Sequence, residues 1–103
     1  MKQHNILLAL GLLSCAPFAL AHNPVCRCTN AAGGTIRCVG GFSDGSGAPG
    51  VKLDVIGYDE KVLLKGKLGA DSSLSFKKPK GEFYILFDAG PGHVVEIDHA
   101  AVE

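Results

Sequence analysis

Beyond residue 21, apolar and polar positions alternate in short runs, and turn-forming residues separate the runs at intervals of about ten residues. This spacing is typical of short strands, and no stretch shows the three-to-four-residue repeat of an amphipathic helix. The alternation is clearest where Val51, Leu53 and Val55 share one face of a single run. The pattern predicts seven strands, at residues 25–29, 35–41, 51–58, 62–68, 73–77, 83–87 and 94–98.

The predicted strand 83–87 is apolar on both faces, so we expect it to lie in the centre of a sheet. Residues 40–50 hold five glycines without apolar periodicity, and this composition predicts a flexible loop. Seven strands in one short chain favour an all-β, two-sheet Greek-key sandwich. The expected core is formed by Phe83, Ile85 and Phe87 packing against Val51, Leu53, Val55, Leu74 and Phe76.

The first 21 residues have the features of a cleaved secretory signal. Lys2 gives a positive start, residues 6–13 form an apolar run, and Ala19-Leu20-Ala21 has the small-x-small pattern that signal peptidase recognises. Cleavage leaves one domain, residues 22–103, in the periplasm or outside the cell. A lipoprotein-like box ending at Cys15 is the less favoured alternative, and its use would anchor the protein to a membrane.

Charge and motifs exclude several classes of function. Without Lys2, nine Lys and Arg residues remain against ten Asp and Glu, and the longest basic run is Lys77-Lys78-Pro79-Lys80. This balance argues against nucleic acid as a partner. No apolar stretch after residue 21 resembles a transmembrane helix. The chain also lacks a Gly-x-Ser-x-Gly elbow, a phosphate-binding glycine loop and a His-Glu-x-x-His motif, so we do not expect an enzyme.

Three cysteines remain after cleavage, an odd number for an oxidising compartment. If the first hairpin closes symmetrically around Gly33, Cys28 faces Cys38, and Cys26 shares their face. One interpretation is a disulfide, either Cys28–Cys38 or Cys26–Cys38, with one thiol left over. The other is a thiolate site for Cu(I) or Zn(II) formed by all three cysteines.

His22 becomes the first residue of the predicted mature chain. Its α-amine and imidazole together would chelate a transition metal, with another histidine or a carboxylate completing the site. His93 and His99 would lie roughly 20 Å apart on a continuous strand, so they cannot bind one ion together. One interpretation is a strand end with solvated polar residues. In a metal role, one of the two, His93, would act with His22. The candidate metals are copper, nickel and cobalt.

Three segments resemble the carboxypeptidase regulatory-like, or transthyretin-like, domain. They are residues 47–55 (GAPGVKLDV), 66–76 (GKLGADSSLSF) and 79–84 (PKGEFY), which are similar to the strand-entry and turn-strand motifs of that family. The resemblance implies a transthyretin-like or immunoglobulin-like sandwich and no active site. Residues 87–93 (FDAGPGH), in a small exported chain, also resemble periplasmic accessory proteins of nickel, cobalt or copper handling.

These observations predict a non-enzymatic periplasmic sandwich that binds a transition metal or assists its transport. A membrane transporter or another periplasmic protein is the expected partner. The alternative is a disulfide-stapled structural or protein-interaction module without a metal. The predicted metal ligands are His22, Cys26, Cys28, Cys38 and His93.

Overall fold

The computed structural model describes residues 22–103, so the predicted signal segment and Cys15 lie outside the described residues. All seven predicted strands are present, and the all-β prediction is confirmed. A single 3₁₀ turn, His99–Ala101, follows the last strand. The strands are β1 Pro24–Ala31, β2 Thr35–Phe42, β3 Lys52–Gly57, β4 Val62–Lys67, β5 Ser73–Lys77, β6 Phe83–Asp88 and β7 Val94–Asp98.

The strands form two antiparallel sheets that face each other as a sandwich. One sheet has the order β1-β2-β5 and the other the order β4-β3-β6-β7, so β6 is a central strand as predicted. The β1–β2 hairpin turns through Gly33 and Gly34, whose φ angles of 77° and 72° favour glycine. Its register places Cys28 opposite Cys38. The alternation in the sequence therefore becomes two inward apolar faces.

The core between the sheets is largely the one that the sequence predicts. The side chains of β6 that point inward, Phe83, Ile85 and Phe87, are fully buried. Val51 and Leu74 are half-buried at its margin. The other buried apolar residues of this core are Cys28, Ile36, Cys38, Ala48, Leu53, Val55, Leu68 and Phe76.

Gly40 allows the sheets to approach closely. A Cβ atom at this position would lie 2.8 Å from Leu68 Cδ1 and 2.8 Å from Phe87 Cε1. The contact also aligns the two sheets, because it sets the last residues of β2 over the last residues of β6. We call this end of the sandwich, where β2 and β6 finish, the upper end, and the opposite end the lower end.

The predicted loop 40–50 is wrong at its start, because β2 continues to Phe42. Backbone hydrogen bonds, rather than apolar alternation, extend the strand: Phe42 N donates to Ser46 O at 2.9 Å, and Gly41 forms a bridge to Gly47. The chain thus reverses in a hydrogen-bonded turn that includes Asp44. None of the helical segments within 22–103 has the length and hydrophobicity needed to cross a membrane.

Candidate metal centre

A cleft at the upper end of the sandwich brings His22 and His93 together. It has a volume of about 310 Å³ and is lined by His22, Phe42, Ser46, Ala89 and His93. These residues come from the segment before β1, the end of β2 with its turn, and the β6–β7 turn. His22 and His93, which the sequence predicts to act together, thus line the same cleft.

His22 also contacts a carboxylate. Its Nδ1 atom lies 2.8 Å from Asp44 Oδ2. The carboxylate is held by its own turn, where Asp44 Oδ1 accepts hydrogen bonds from Ser46 N at 3.0 Å and from Ser46 Oγ at 2.6 Å. These hydrogen bonds lower the pKa of Asp44 from its ordinary value, and His22 acts in the same direction. A fixed negative charge therefore lies beside the imidazole at neutral pH.

The segment that carries His22 is tied to the same turn by its backbone. Asn23 N donates to Ser43 Oγ at 3.1 Å, and Ser43 N donates to Asn23 O at 2.8 Å. The hairpin thereby continues beyond the first residue of β1, and His22 is placed at the cleft by hydrogen bonds.

The His93 ring is oriented by its own turn. His93 Nδ1 lies 3.0 Å from Pro91 O. A carbonyl oxygen only accepts hydrogen bonds, so Nδ1 carries the hydrogen, and in the neutral ring the lone pair is on Nε2. The turn is closed by two backbone bonds, from Ala89 N to His93 O at 2.9 Å and from His93 N to Gly90 O at 2.8 Å. Histidines that bind metals are commonly oriented in this way, with the second nitrogen donating to a carbonyl.

Side chains alone do not complete a metal site within the described part of the chain. Residues 22–103 contain no group of three or more His, Cys, Asp and Glu side chains that could hold a metal ion. These donors are side chains, whereas the α-amine of His22 is a backbone nitrogen. In the unprocessed chain this nitrogen belongs to the peptide bond with Ala21.

The cysteines are not part of the cleft. Cys28 and Cys38 form a disulfide, which is the first of the two pairings that the sequence left open. Cys26 keeps its thiol and lies on the same face, opposite Gly40. Burial raises the pKa of Cys26 to about 11, so the thiol stays protonated at neutral pH. With the disulfide formed, only Cys26 remains of the three predicted thiolate ligands, and its thiol is protonated.

His99 lies outside the cleft. The predicted strand 94–98 is confirmed as β7, so His93 and His99 flank the strand instead of lying on it. Strand β7 ends at Asp98, whose Oδ2 atom accepts a hydrogen bond from Ala100 N at 3.0 Å and starts the 3₁₀ turn. The His99 ring packs against Phe83, with ring centroids 5.6 Å apart. His93 and His99 precede and follow β7, so the conclusion that they do not form a joint site is unchanged.

Sequence reasoning missed the pairing of Asp44 with His22. The hairpin register could have revealed this pairing, because it pairs Pro24 with Phe42 and Cys28 with Cys38. Continuing this register by two residues places residue 22 opposite residue 44.

Comparisons with models of known protein families, with curated proteins and with solved structures found no match to this chain.

Proposed function

We propose that the exported protein, cleaved behind Ala21, is a non-enzymatic carrier that binds Cu(II) or Ni(II) in the cleft between His22 and His93. The observation that carries this proposal is the shared cleft, which joins two imidazoles from opposite ends of the chain. Cobalt prefers similar ligands, but it binds such donors less tightly than nickel or copper does. The protein therefore holds or passes on a transition metal rather than catalysing a reaction.

Cleavage supplies the donor that the side chains lack. In a chain that begins at His22, the α-amine and Nδ1 close a six-membered chelate ring with one ion. A free α-amine has a pKa of roughly 7.7–8.0, so binding displaces a proton near neutral pH. Processing thus converts a pair of imidazoles into a site with three nitrogen donors.

Of the side chains near His22, Asp44 lies within reach of this chelate. Metal–nitrogen and metal–oxygen bonds of about 2.0–2.2 Å at right angles place neighbouring donors about 2.9 Å apart. The separation between His22 Nδ1 and Asp44 Oδ2 is 2.8 Å. Asp44 is therefore placed to supply an oxygen beside the chelate. His93 lines the same cleft, and we propose that its ring turns Nε2 toward the ion when the metal binds. Nitrogen and oxygen donors of this kind suit Cu(II) and Ni(II).

Exposure of the site favours transport over a structural role. The His22 side chain is 63% exposed, so a partner such as a membrane transporter could reach the ion directly. The disulfide is not part of the cleft, and of the cleft residues only Phe42 and Ala89 pack against the core. A disulfide such as Cys28–Cys38 is typical of small exported domains in an oxidising compartment.

The connectivity supports the transthyretin-like resemblance as part of this proposal. Strand β3 pairs with β4 on one side and with the non-consecutive β6 on the other, as Greek-key connections require. We therefore assign the sandwich to the Greek-key type, with the metal site as a feature of the N-terminus and not of the fold.

Metal titration of matched chains tests the proposal. The chain starting at His22 should bind Cu(II) more than about 100-fold more tightly than the same chain acetylated on its α-amine. Acetylation keeps the imidazole and blocks the chelating amine without adding a new one. A glycine added after Glu103 serves as the control and should leave the affinity unchanged.

Two results would contradict the metal-binding proposal. Equal affinity of the two N-terminal forms would mean that the amine takes no part in binding. If neither Cu(II) nor Ni(II) binds more tightly than about 1 μM, the metal proposal fails. The disulfide-stapled interaction module then becomes the function that the fold supports.

A further inference from the structure

A second concave surface lies at the lower end of the sandwich, remote from the metal cleft. We call it the lower groove; its volume is about 480 Å³. It opens between β4 of one sheet and the end of β5 of the other. Its lining residues are Val55, Leu63, Leu64, Phe76, Lys77, Lys78, Pro79 and Lys80. Its floor is thus apolar, and its rim is basic.

The lower groove lies beside an open sheet edge. Strand β4 ends the four-stranded sheet, and no strand within residues 22–103 pairs with its outer side. The edge of β1, by contrast, is covered: Asn30 N donates to Glu103 O at 2.8 Å, and Glu103 N donates to Cys28 O at 3.0 Å. Val62 and Leu63 at the start of β4 are 51% and 49% exposed. An open edge with apolar side chains is a template for pairing with another strand.

The charge around the lower groove is positive and uncompensated. Lys77, Lys78 and Lys80 line it, and Lys65 and Lys67 belong to β4 itself. In the described part of the chain, none of these lysines forms an ion pair with a carboxylate, whereas both arginines do. The basic rim therefore favours an anionic occupant and disfavours a second copy of the same edge, since like charges opposed across a strand pair are destabilising.

From these observations we propose that the lower groove binds an extended acidic segment of a partner protein. The segment adds as a strand to the free edge of β4, its alternate apolar side chains fill the groove beside Leu63, and its carboxylates face Lys77, Lys78 and Lys80. Backbone pairing supplies affinity, and the pockets for alternate side chains supply selectivity. This inference does not depend on the metal proposal, because the two sites share no residue.

A fluorescent peptide of about eight residues with alternating Glu and Val provides the probe, and anisotropy gives its affinity. Leu63→Glu should weaken binding at least about tenfold, whereas Val94→Glu should change it less than about twofold. The control is matched, since Leu63 and Val94 are both 49% exposed on edge strands. Lys78→Glu and Lys52→Glu form a second matched pair, because Lys52 begins β3 at the upper end. Thermal melts of all four variants confirm that they fold.

Three results would overturn the proposal. The peptide could fail to bind below about 1 mM at low salt. A version N-methylated on every residue, which has no backbone N–H to donate to an edge strand, could bind as tightly as the original. Finally, a fatty acid such as laurate could displace the peptide and shift the same β4 amide signals, which would make the lower groove a lipid site. Loss of binding on N-methylation, with β4 amide shifts on addition of the original peptide, is the supporting result.

Discussion

Removal of the Cys28–Cys38 disulfide should cost this domain a large part of its stability. The bond joins residues separated by 10 positions, and both are buried. By the chain-entropy relation, a loop of this length is worth about 2.7 kcal/mol at 25 °C. Loss of two buried sulfur atoms adds to this, so Cys28→Ala with Cys38→Ala should lower the free energy of unfolding by about 3–4 kcal/mol. Single domains have only about 5–15 kcal/mol in total.

Urea denaturation followed by far-ultraviolet circular dichroism measures this loss directly. The melting temperature should fall by roughly 15–25 °C in parallel. Cys26→Ala, which leaves the bond intact, is the control and should cost less than about 1 kcal/mol. Thiol counting on denatured protein starting at His22 should find one free thiol per chain. If the double variant unfolds within about 1 kcal/mol of the unaltered protein, the loop-entropy reasoning is wrong. If Cys26→Ala is equally destabilised, the bond in solution involves Cys26.

Three further predictions concern the core, a surface hydrogen bond and processing. Phe87 is fully buried, so Phe87→Ala should cost about 3–5 kcal/mol, and a melting temperature within a degree or two of the unaltered protein would contradict this. The hydrogen bond that Tyr58 donates to Asp98 raises the pKa of Tyr58 to about 12, so its phenolate absorbance should appear well above pH 10, and Asp98→Asn should bring it down. Because the folded pKa is raised, this contribution to stability is complete below pH 10 and is lost as pH rises through about 12. Intact mass of the exported protein should match a chain starting at His22, whereas a lipidated Cys15 at the start would show that the protein is a lipoprotein.

The sequence predicted the strands and the core well, because alternation and turn residues report which face of each strand is buried. It also predicted that Cys28 faces Cys38, since a symmetrical hairpin sets its own register, but it left open which cysteine forms the disulfide with Cys38. Two features could not be derived from local patterns. His22 and His93 were paired on their chemistry alone, because their lining of one cleft depends on how one sheet docks on the other. The position of His99 depends on the Asp98 side chain, which ends β7 and starts a 3₁₀ turn.

Electron paramagnetic resonance of Cu(II) bound to the chain starting at His22 tests the metal site most directly. Nitrogen couplings should report the α-amine, the His22 ring and the His93 ring. His93→Ala should remove one imidazole coupling and weaken binding, whereas His99→Ala, which removes a histidine outside the cleft, should leave both spectrum and affinity unchanged. A His93→Ala spectrum identical to that of the unaltered protein would show that the cleft between His22 and His93 does not bind the metal.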